Sequence, residues 1–403
     1  MSFKQTYTPK GFTDESIKTH IVNNGTFFNN EEFPTIGYNR KYELRDTDER
    51  AKFQLKPRLN KVRREDTHEL VNARSGSDSD GIHFEMIIGT ASDQTAVAPG
   101  NLIKQWKEGE RNYFHYKMNQ PMINFYSVVS AKYTTVKDKW LYKDNAVDLE
   151  IYYHKKHNYN LDRMMLSMKK SLDYFSTHFS PYQYKQLRIM EFPRYAEFAQ
   201  SFPGTIPFSE AIGFVLDIDD EKDVDMAFYV TAHEVAHQWW GMQVEAANVQ
   251  GKHMILETLA QYGALMVLKN NYPKEKVTQF LAYQEETYHR ERKKSKMPEP
   301  SLALVENQDY VYYNKGALAM YILQDKIGED KVNLALQRFI EDWNTYSGEI
   351  KVTTNRYATT KDLLHYLKEV TPSSSQYLLH DLFETVDSKE IGLKKKELIA
   401  KEQ

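Results

Sequence analysis

Two histidines four residues apart, His233 and His237, stand in the run HEVAH with Glu234 beside the first of them. On a helix of about 3.6 residues per turn this spacing puts both imidazoles on one face, about 6 Å apart along the axis, where one metal ion can be shared. Glu234 then points beside the ion rather than at it. A carboxylate so placed can take a proton from a water that zinc has acidified to a pKa of about 7, which is hydrolytic chemistry at neutral pH. A catalytic zinc ion usually takes three protein ligands and keeps one position for water. Glu257, followed by TLAQY, is the candidate third ligand, and His253, one turn earlier, competes with it. Cysteine is absent from the 403 residues, so a metal site must be built from His, Asp and Glu.

A five-residue match is short enough to arise by accident, and its context gives it weight. A helix over 224–240 carries it, with Asp223 and Asp225 suiting the positive end of the helix dipole and Gly241 closing it. A second helix over 252–270 carries Glu257, and further helices are expected over 274–294, 315–326 and 329–345. Upstream, Leu161, Met164, Met165, Met168, Leu172 and Phe175 mark one buried face of a helix capped by Asn160, the methionines being core filler. The segments QLRIMEF (186–192) and AIGFVLDI (211–218) read as strands.

Before about residue 158 the period is different. HFEMIIG (83–89), NYFHYKM (112–118) and INFYSVVSAKY (123–133) are short, β-rich and partly alternating. RSGSDSDG at 74–81 reads as an exposed loop, and the first 80 residues carry little signal. His154 and His157 form a second histidine pair, HKKH, whose charged setting near a strand end reads as solvated surface.

Composition bounds the function classes. With 53 Lys and Arg against 56 Asp and Glu the net charge is -3, so no global field draws the chain to nucleic acid or anionic lipid. The 28 Tyr and 20 Phe are read as packed cores with hydroxyls at their edges. The start MSFKQTYTPKGF lacks the basic segment and apolar run of a secretory signal, and no stretch approaches the roughly 18 apolar residues of a bilayer span. The chain as given is therefore expected to be a soluble piece.

HEVAHQWWG followed by ETLAQY resembles the gluzincin aminopeptidases, the family of aminopeptidase N and leukotriene hydrolase, over roughly 160–345. The resemblance implies zinc on His233, His237 and Glu257, with Glu234 as general base. The family's interval between second His and Glu is eighteen residues, whereas 238–256 makes nineteen, and the extra residue is assigned to the loop QVEAANVQG. YNKG at 313–316 is similar to the family's Tyr-x-Lys-Gly and would make Tyr313 the donor to the oxyanion of the tetrahedral intermediate; the alternative is that Tyr310, Tyr312 and Tyr313 are packing aromatics. In PGTIPFSEAIGF, Gly204 and Glu210 stand where the family has Gly-x-Met-Glu-Asn, so that Glu210 would hold the free α-amino group of a substrate. That match is by position and charge, because TIPFS separates the two residues.

The expected fold is α+β: an N-terminal β-sheet domain (1–158), a thermolysin-like, mainly helical zinc peptidase domain (159–345) and a C-terminal helical segment (346–403). The expected activity is that of a zinc metallo-aminopeptidase acting on peptides with a free amino terminus, with no nucleic acid partner. The run YNLDRM to ETLAQY is most similar to peptidase domains fused to bacterial ABC transporter permease segments, which implies a covalent partner in a membrane transporter. Two alternatives stand beside this reading: a zinc endopeptidase with the same metal site, and a noncatalytic peptide-binding or regulatory module.

Overall fold

The computed structural model of the chain describes residues 21–33, 43–44, 47–55, 62–73, 81–345 and 356–402, with residues 2, 4 and 6 besides. Two compact units emerge. The first comprises Met1–Pro34, Gly81–Met242 and Gly263–Val277, and the second Thr35–Asp80, Gln243–Tyr262 and Thr278–Gln403. The run 74–81, read from sequence as a loop, lies outside the described residues except for Gly81.

Three sheets build the first unit. β1 (Thr26–Asn29), β6 (Ser127–Ala131) and β3 (Thr95–Val97) form one; β2 (Glu85–Ala91), β5 (Arg111–Lys117) and β4 (Asn101–Glu108) form an antiparallel second. The third has the order β10-β9-β8-β7, from β7 (Thr134–Tyr142), β8 (Asn145–Tyr153), β9 (Gln186–Phe192) and β10 (Thr205–Ser209). β7 and β8 are antiparallel, whereas β8, β9 and β10 run parallel. α1 is the short helix Thr47–Lys52; the β8-to-β9 crossover is made by α2 (Leu161–His178), as a parallel pair requires. Every residue of β9 is buried, which suits a strand with neighbours on both sides and explains its nearly continuous apolar lettering. Pro207 lies in β10, the edge strand of its sheet, and its carbonyl accepts from the Gln200 N–H at 3.1 Å on the side away from β9, so its missing N–H costs no ladder bond to β9.

The helical period of α2 buries Met164, Met165, Met168, Leu172 and Phe175, all at most 8% exposed. Each such side chain contributes about 1.5–3 kcal/mol by leaving water. Asn160 occupies the N-cap position but makes no side-chain cap bond; its amide donates to the carbonyls of Gly213 and Leu216 at 2.7 Å. Those bonds fix the segment after β10. There the expected strand over 211–218 is absent: Glu210–Ile212 is a short 3-10 turn followed by irregular chain. The apolar lettering reflects burial of Phe214, which meets Phe208 edge-on, rather than strand pairing.

α3 (Met226–Ala236) packs on α2, with Ser167 Oγ donating to the Phe228 carbonyl at 2.7 Å. Asp225 caps it by accepting from the Phe228 N–H at 2.9 Å and pairs with Arg163. The helix ends at Ala236, with His237 as its C-cap, short of the expected end at Gly241. Trp239 and Trp240 follow in a turn and are fully buried.

The rest of the described chain is mainly helical, and within it residues 263–277 belong to the first unit. A π turn at Met254–Thr258 leads without a break into α4 (Leu259–Asn271). After α5 (Lys274–Lys294), a second π turn at Val311–Lys315 leads into α6 (Gly316–Ile327), followed by α7 (Glu329–Trp343). α8 (Thr360–Val370), α9 (Tyr377–Leu379), a third π turn (His380–Glu384) and α10 (Lys389–Glu402) complete it. A β-rich first part followed by a mainly helical one is the α+β class expected from the sequence. Among the described residues no helix is long and apolar enough to cross a membrane.

Candidate active site

His233 lies in the last turn of α3 and His237 is its C-cap, both 8% exposed. Their rings meet edge-on with centroids 4.7 Å apart, and the two Nε2 atoms face each other at 3.1 Å. His237 Nδ1 lies 3.0 Å from the Trp240 carbonyl, and donation there fixes the tautomer that leaves Nε2 with its lone pair directed at His233. The short turn after Ala236 therefore has a chemical as well as a structural role, because it brings the Trp240 carbonyl back over His237. Glu234, 5% exposed, occupies the intervening position on the same helix.

One carboxylate oxygen of Glu257 and one nitrogen each of His233 and His237 lie within 4.8 Å of one another, a group that could hold one metal ion. A tetrahedral site with bonds of about 2.0–2.1 Å places its ligand atoms about 3.3 Å apart, so the 3.1 Å between the imidazole nitrogens fits zinc and the histidine and carboxylate set matches its ligand chemistry. His253 does not join this group. Its ring instead stacks on Tyr312 at 4.8 Å and 22°.

Glu257 and Tyr313 both occupy π turns, a rare geometry that recurs at functional sites. The two turns are locked together. Thr258 Oγ1 donates to the Tyr312 carbonyl at 2.7 Å, and a Cβ on Gly316 would come within 2.5 Å of that same hydroxyl. Glycine in YNKG thus permits the helix bearing Glu257 to approach the turn bearing Tyr313. Lys315, fully buried, pairs with Glu299 at 2.9 Å and donates to the Val386 carbonyl at 2.6 Å, tying the turn to the chain after the third π turn. Burial pushes the Lys315 ammonium below the ordinary lysine range, with Glu299 opposing it. Burial, and then the charge of Glu257, push the Tyr312 hydroxyl up, so Tyr312 stays neutral. Tyr313 meets Tyr312 edge-on at 4.7 Å, whereas Tyr310, 6% exposed, is packed near Tyr288. Thr258 and Glu299 carry no signal of their own in the sequence, and although YNKG contains Lys315, nothing local marks its pairing with Glu299.

Gly204 sits in a buried turn at φ 65° before β10, and its N–H donates to Gln238 Oε1 at 3.0 Å. Glu210 follows β10 and belongs to another group of side chains. Its Oε1 accepts from Arg194 N at 3.2 Å and Nε at 3.3 Å, and its Oε2 lies 3.6 Å from His157 Nδ1. His154 and His157 are not the solvated pair the lettering suggests: their side chains are 15% and 30% exposed, and both face Glu191, which is wholly buried.

The Peptidase family M1 domain profile matches residues 159–383, more than half of the chain. The chain belongs to peptidase family M1. It is 26% identical to "Endoplasmic reticulum aminopeptidase 2" of Homo sapiens over 183 residues, 43% of this chain and 19% of that protein. It is 27% identical to "Probable aminopeptidase 1" of Sulfurisphaera tokodaii over 180 residues, 40% of this chain and 22% of that protein. The matched stretch thus spans about a fifth of these curated relatives. An M1 zinc metallopeptidase from Deinococcus radiodurans superposes with a TM-score of 0.58 at 18% identity, covering 77% of this chain and 66% of that one, and supports the fold. A point mutant of that peptidase, solved with a Tyr-Ser-Ala substrate, superposes with a TM-score of 0.56 at 17% identity, covering 76% of this chain and 64% of that one.

Proposed function

We propose that this M1 chain is a zinc aminopeptidase, hydrolysing the first peptide bond of peptides with a free amino terminus. The observation that carries the reading is the convergence of His233, His237 and Glu257 within 4.8 Å, with Glu234 on the same helix as the two histidines. Zinc bound by those three residues would supply Lewis-acid polarisation of the scissile carbonyl and acidification of a water. Glu234 would accept the proton of the attacking water and return it to the leaving amine. Tyr313 donates to the developing oxyanion, and the lock of Thr258 on the Tyr312 carbonyl keeps its turn in place. Glu210 pairs with the substrate's α-ammonium group and so selects which bond is cut, while Gly204 shapes the turn that starts β10.

The domain boundaries proposed are a β-rich domain to residue 158, a catalytic domain over 159–345 and a helical segment after it. The lettering from YNLDRM to ETLAQY supports a further proposal, that the chain is joined to part of a bacterial membrane transporter. The engagement of Glu210 by Arg194 and His157 favours, as second reading, a zinc endopeptidase that needs no free amine. The decisive experiment measures zinc content and then hydrolysis of a free and an N-acetylated peptide, with and without chelator. An aminopeptidase cleaves only the free peptide and stops on zinc removal. Equal cleavage of both peptides would identify the endopeptidase, and turnover indifferent to chelator would overturn zinc catalysis.

A further inference from the structure

We propose that His154, His157, Glu191 and Glu210 form a second, closed metal site, separate from the HEVAH group, that takes a divalent transition ion of the zinc class. Each of the four offers a ligand atom, and these atoms all lie within 4.8 Å of one another. All four residues belong to the first unit and are placed by its central sheet. β8 and β9 run parallel with Tyr152 opposite Met190, so the residues just beyond β8 arrive beside Glu191 near the end of β9. Glu210 arrives at the same end of the sheet because β10 runs parallel to β9, with Ser209 opposite Phe192.

Glu191 is wholly buried, and its carboxylate is met by the His154 N–H at 2.6 Å, by His154 Nδ1 at 3.1 Å and by His157 Nδ1. No lysine or arginine pairs with it among the described residues, and the one guanidinium on the group, Arg194, binds Glu210 and is itself 60% exposed. A buried carboxylate without a fixed cation is costly, and a second carboxylate beside it adds repulsion. A divalent ion at the centre removes both penalties.

Ligand atoms around a four-coordinate ion with bonds of about 2.0–2.1 Å stand about 3.3 Å apart. His154 Nδ1 to Glu191 Oε1 is 3.1 Å and His157 Nδ1 to Glu210 Oε2 is 3.6 Å, both near that value, whereas His157 Nδ1 stands closer to Glu191 Oε1 than two ligands of one ion would and must draw back by several tenths of an ångström to admit it. Glu210 Oε1 is engaged by Arg194, so Oε2 is the oxygen that would ligate. Two imidazoles and two carboxylates without thiolate suit Zn2+, Co2+ or Mn2+ rather than Cu+ or an iron–sulfur cluster. With four protein ligands the site has no open position for water, so its role is structural: it would hold Glu210 at a fixed place and orientation. The inference shares Glu210 with the proposed function without resting on it: with Oε2 on the ion, a substrate amine would have to take Oε1 from Arg194.

The test is metal stoichiometry by plasma emission, with Zn2+ and Co2+ added at micromolar excess and then dialysed. Wild-type protein is expected to hold about two equivalents, the H233A/E257A protein about one, and the H154Q/H157Q protein about one. Cobalt in the H233A/E257A protein should give the intense visible bands of a four-coordinate N/O site, and these should vanish when H157Q is added. Circular dichroism checks that each variant is folded. A single equivalent in wild type, or an equivalent in H233A/E257A that survives H154Q/H157Q, overturns the proposal. The group would then be a hydrogen-bonded network that orients Glu210 without an ion.

Discussion

Replacing Gly316 by alanine is the sharpest test of how the two π turns are held together. The added methyl would lie 2.5 Å from Thr258 Oγ1, 2.8 Å from its Cγ2 and 3.1 Å from its Cβ, against about 3.5 Å or more for an unstrained contact. Two responses are open. Thr258 can rotate away, giving up its 2.7 Å bond to the Tyr312 carbonyl at a cost of about 0.5–1.5 kcal/mol. Otherwise the turns must part by several tenths of an ångström, and overpacking of this kind costs about 1–3 kcal/mol. Alanine's better helix propensity returns at most about 1 kcal/mol, so a net loss of about 1–2 kcal/mol is expected. Activity should suffer more than stability, because Glu257 precedes Thr258 directly and Tyr313 lies three residues before Gly316. A misplacement approaching 1 Å at such a site costs about 100-fold in rate. The assays are a thermal melt, zinc affinity by chelator competition, and hydrolysis of an aminoacyl reporter. Thr258→Ala in the same chain removes the two closest contacts and should restore part of the loss. A G316A protein that matches wild type in melting, zinc affinity and rate would refute the reasoning.

Two more expectations follow from the same structure. Tyr313→Phe should lower kcat by about 100-fold or more, the worth of about 3 kcal/mol for an oxyanion donor, and leave zinc content unchanged; a smaller loss together with a lower melting temperature would mark Tyr313 as a packing residue. Asp362 accepts from Arg356 at 2.8 and 2.9 Å and from Thr359 N at 2.8 Å, and although burial works the other way these bonds hold its carboxyl below the ordinary range. A depressed folded-state value means stability present above the unfolded pKa of about 3.9 and lost as pH falls through the folded one. Asp362→Asn should therefore cost about 2 kcal/mol at pH 7, with the gap to wild type closing as pH falls below about 4; a gap that stays constant in denaturant titrations across that range would contradict the assignment.

What could be read without coordinates was local. The i, i+4 spacing of His233 and His237 is a one-helix property, and so is the 3.6-residue period of Met164, Met168 and Phe175, so both survive in the structure. QLRIMEF is a strand over 186–192 because a fully buried strand is uniformly apolar except where it carries a network. AIGFVLDI misled for the same reason, since burial of Phe214 produces an apolar run without strand pairing. The π turns leave no trace in periodicity, although a turn of this kind around Glu257 is a second place where the nineteenth residue of the His237 to Glu257 interval can be absorbed. HKKH read as solvated because its partners lie elsewhere in the chain. Only the parallel pairing of β8 with β9 brings Glu191 to His154 and His157, and no local pattern encodes that register.

The proposed base is Glu234, in a zinc-dependent hydrolysis whose ligands are His233, His237 and Glu257. Zinc content and kcat/KM measured together on Glu234→Gln test it most directly. Zinc retained at the wild-type level with kcat/KM down by about 100- to 10,000-fold is the expected result. Zinc retained with the parent's rate on the same aminoacyl substrate would contradict it.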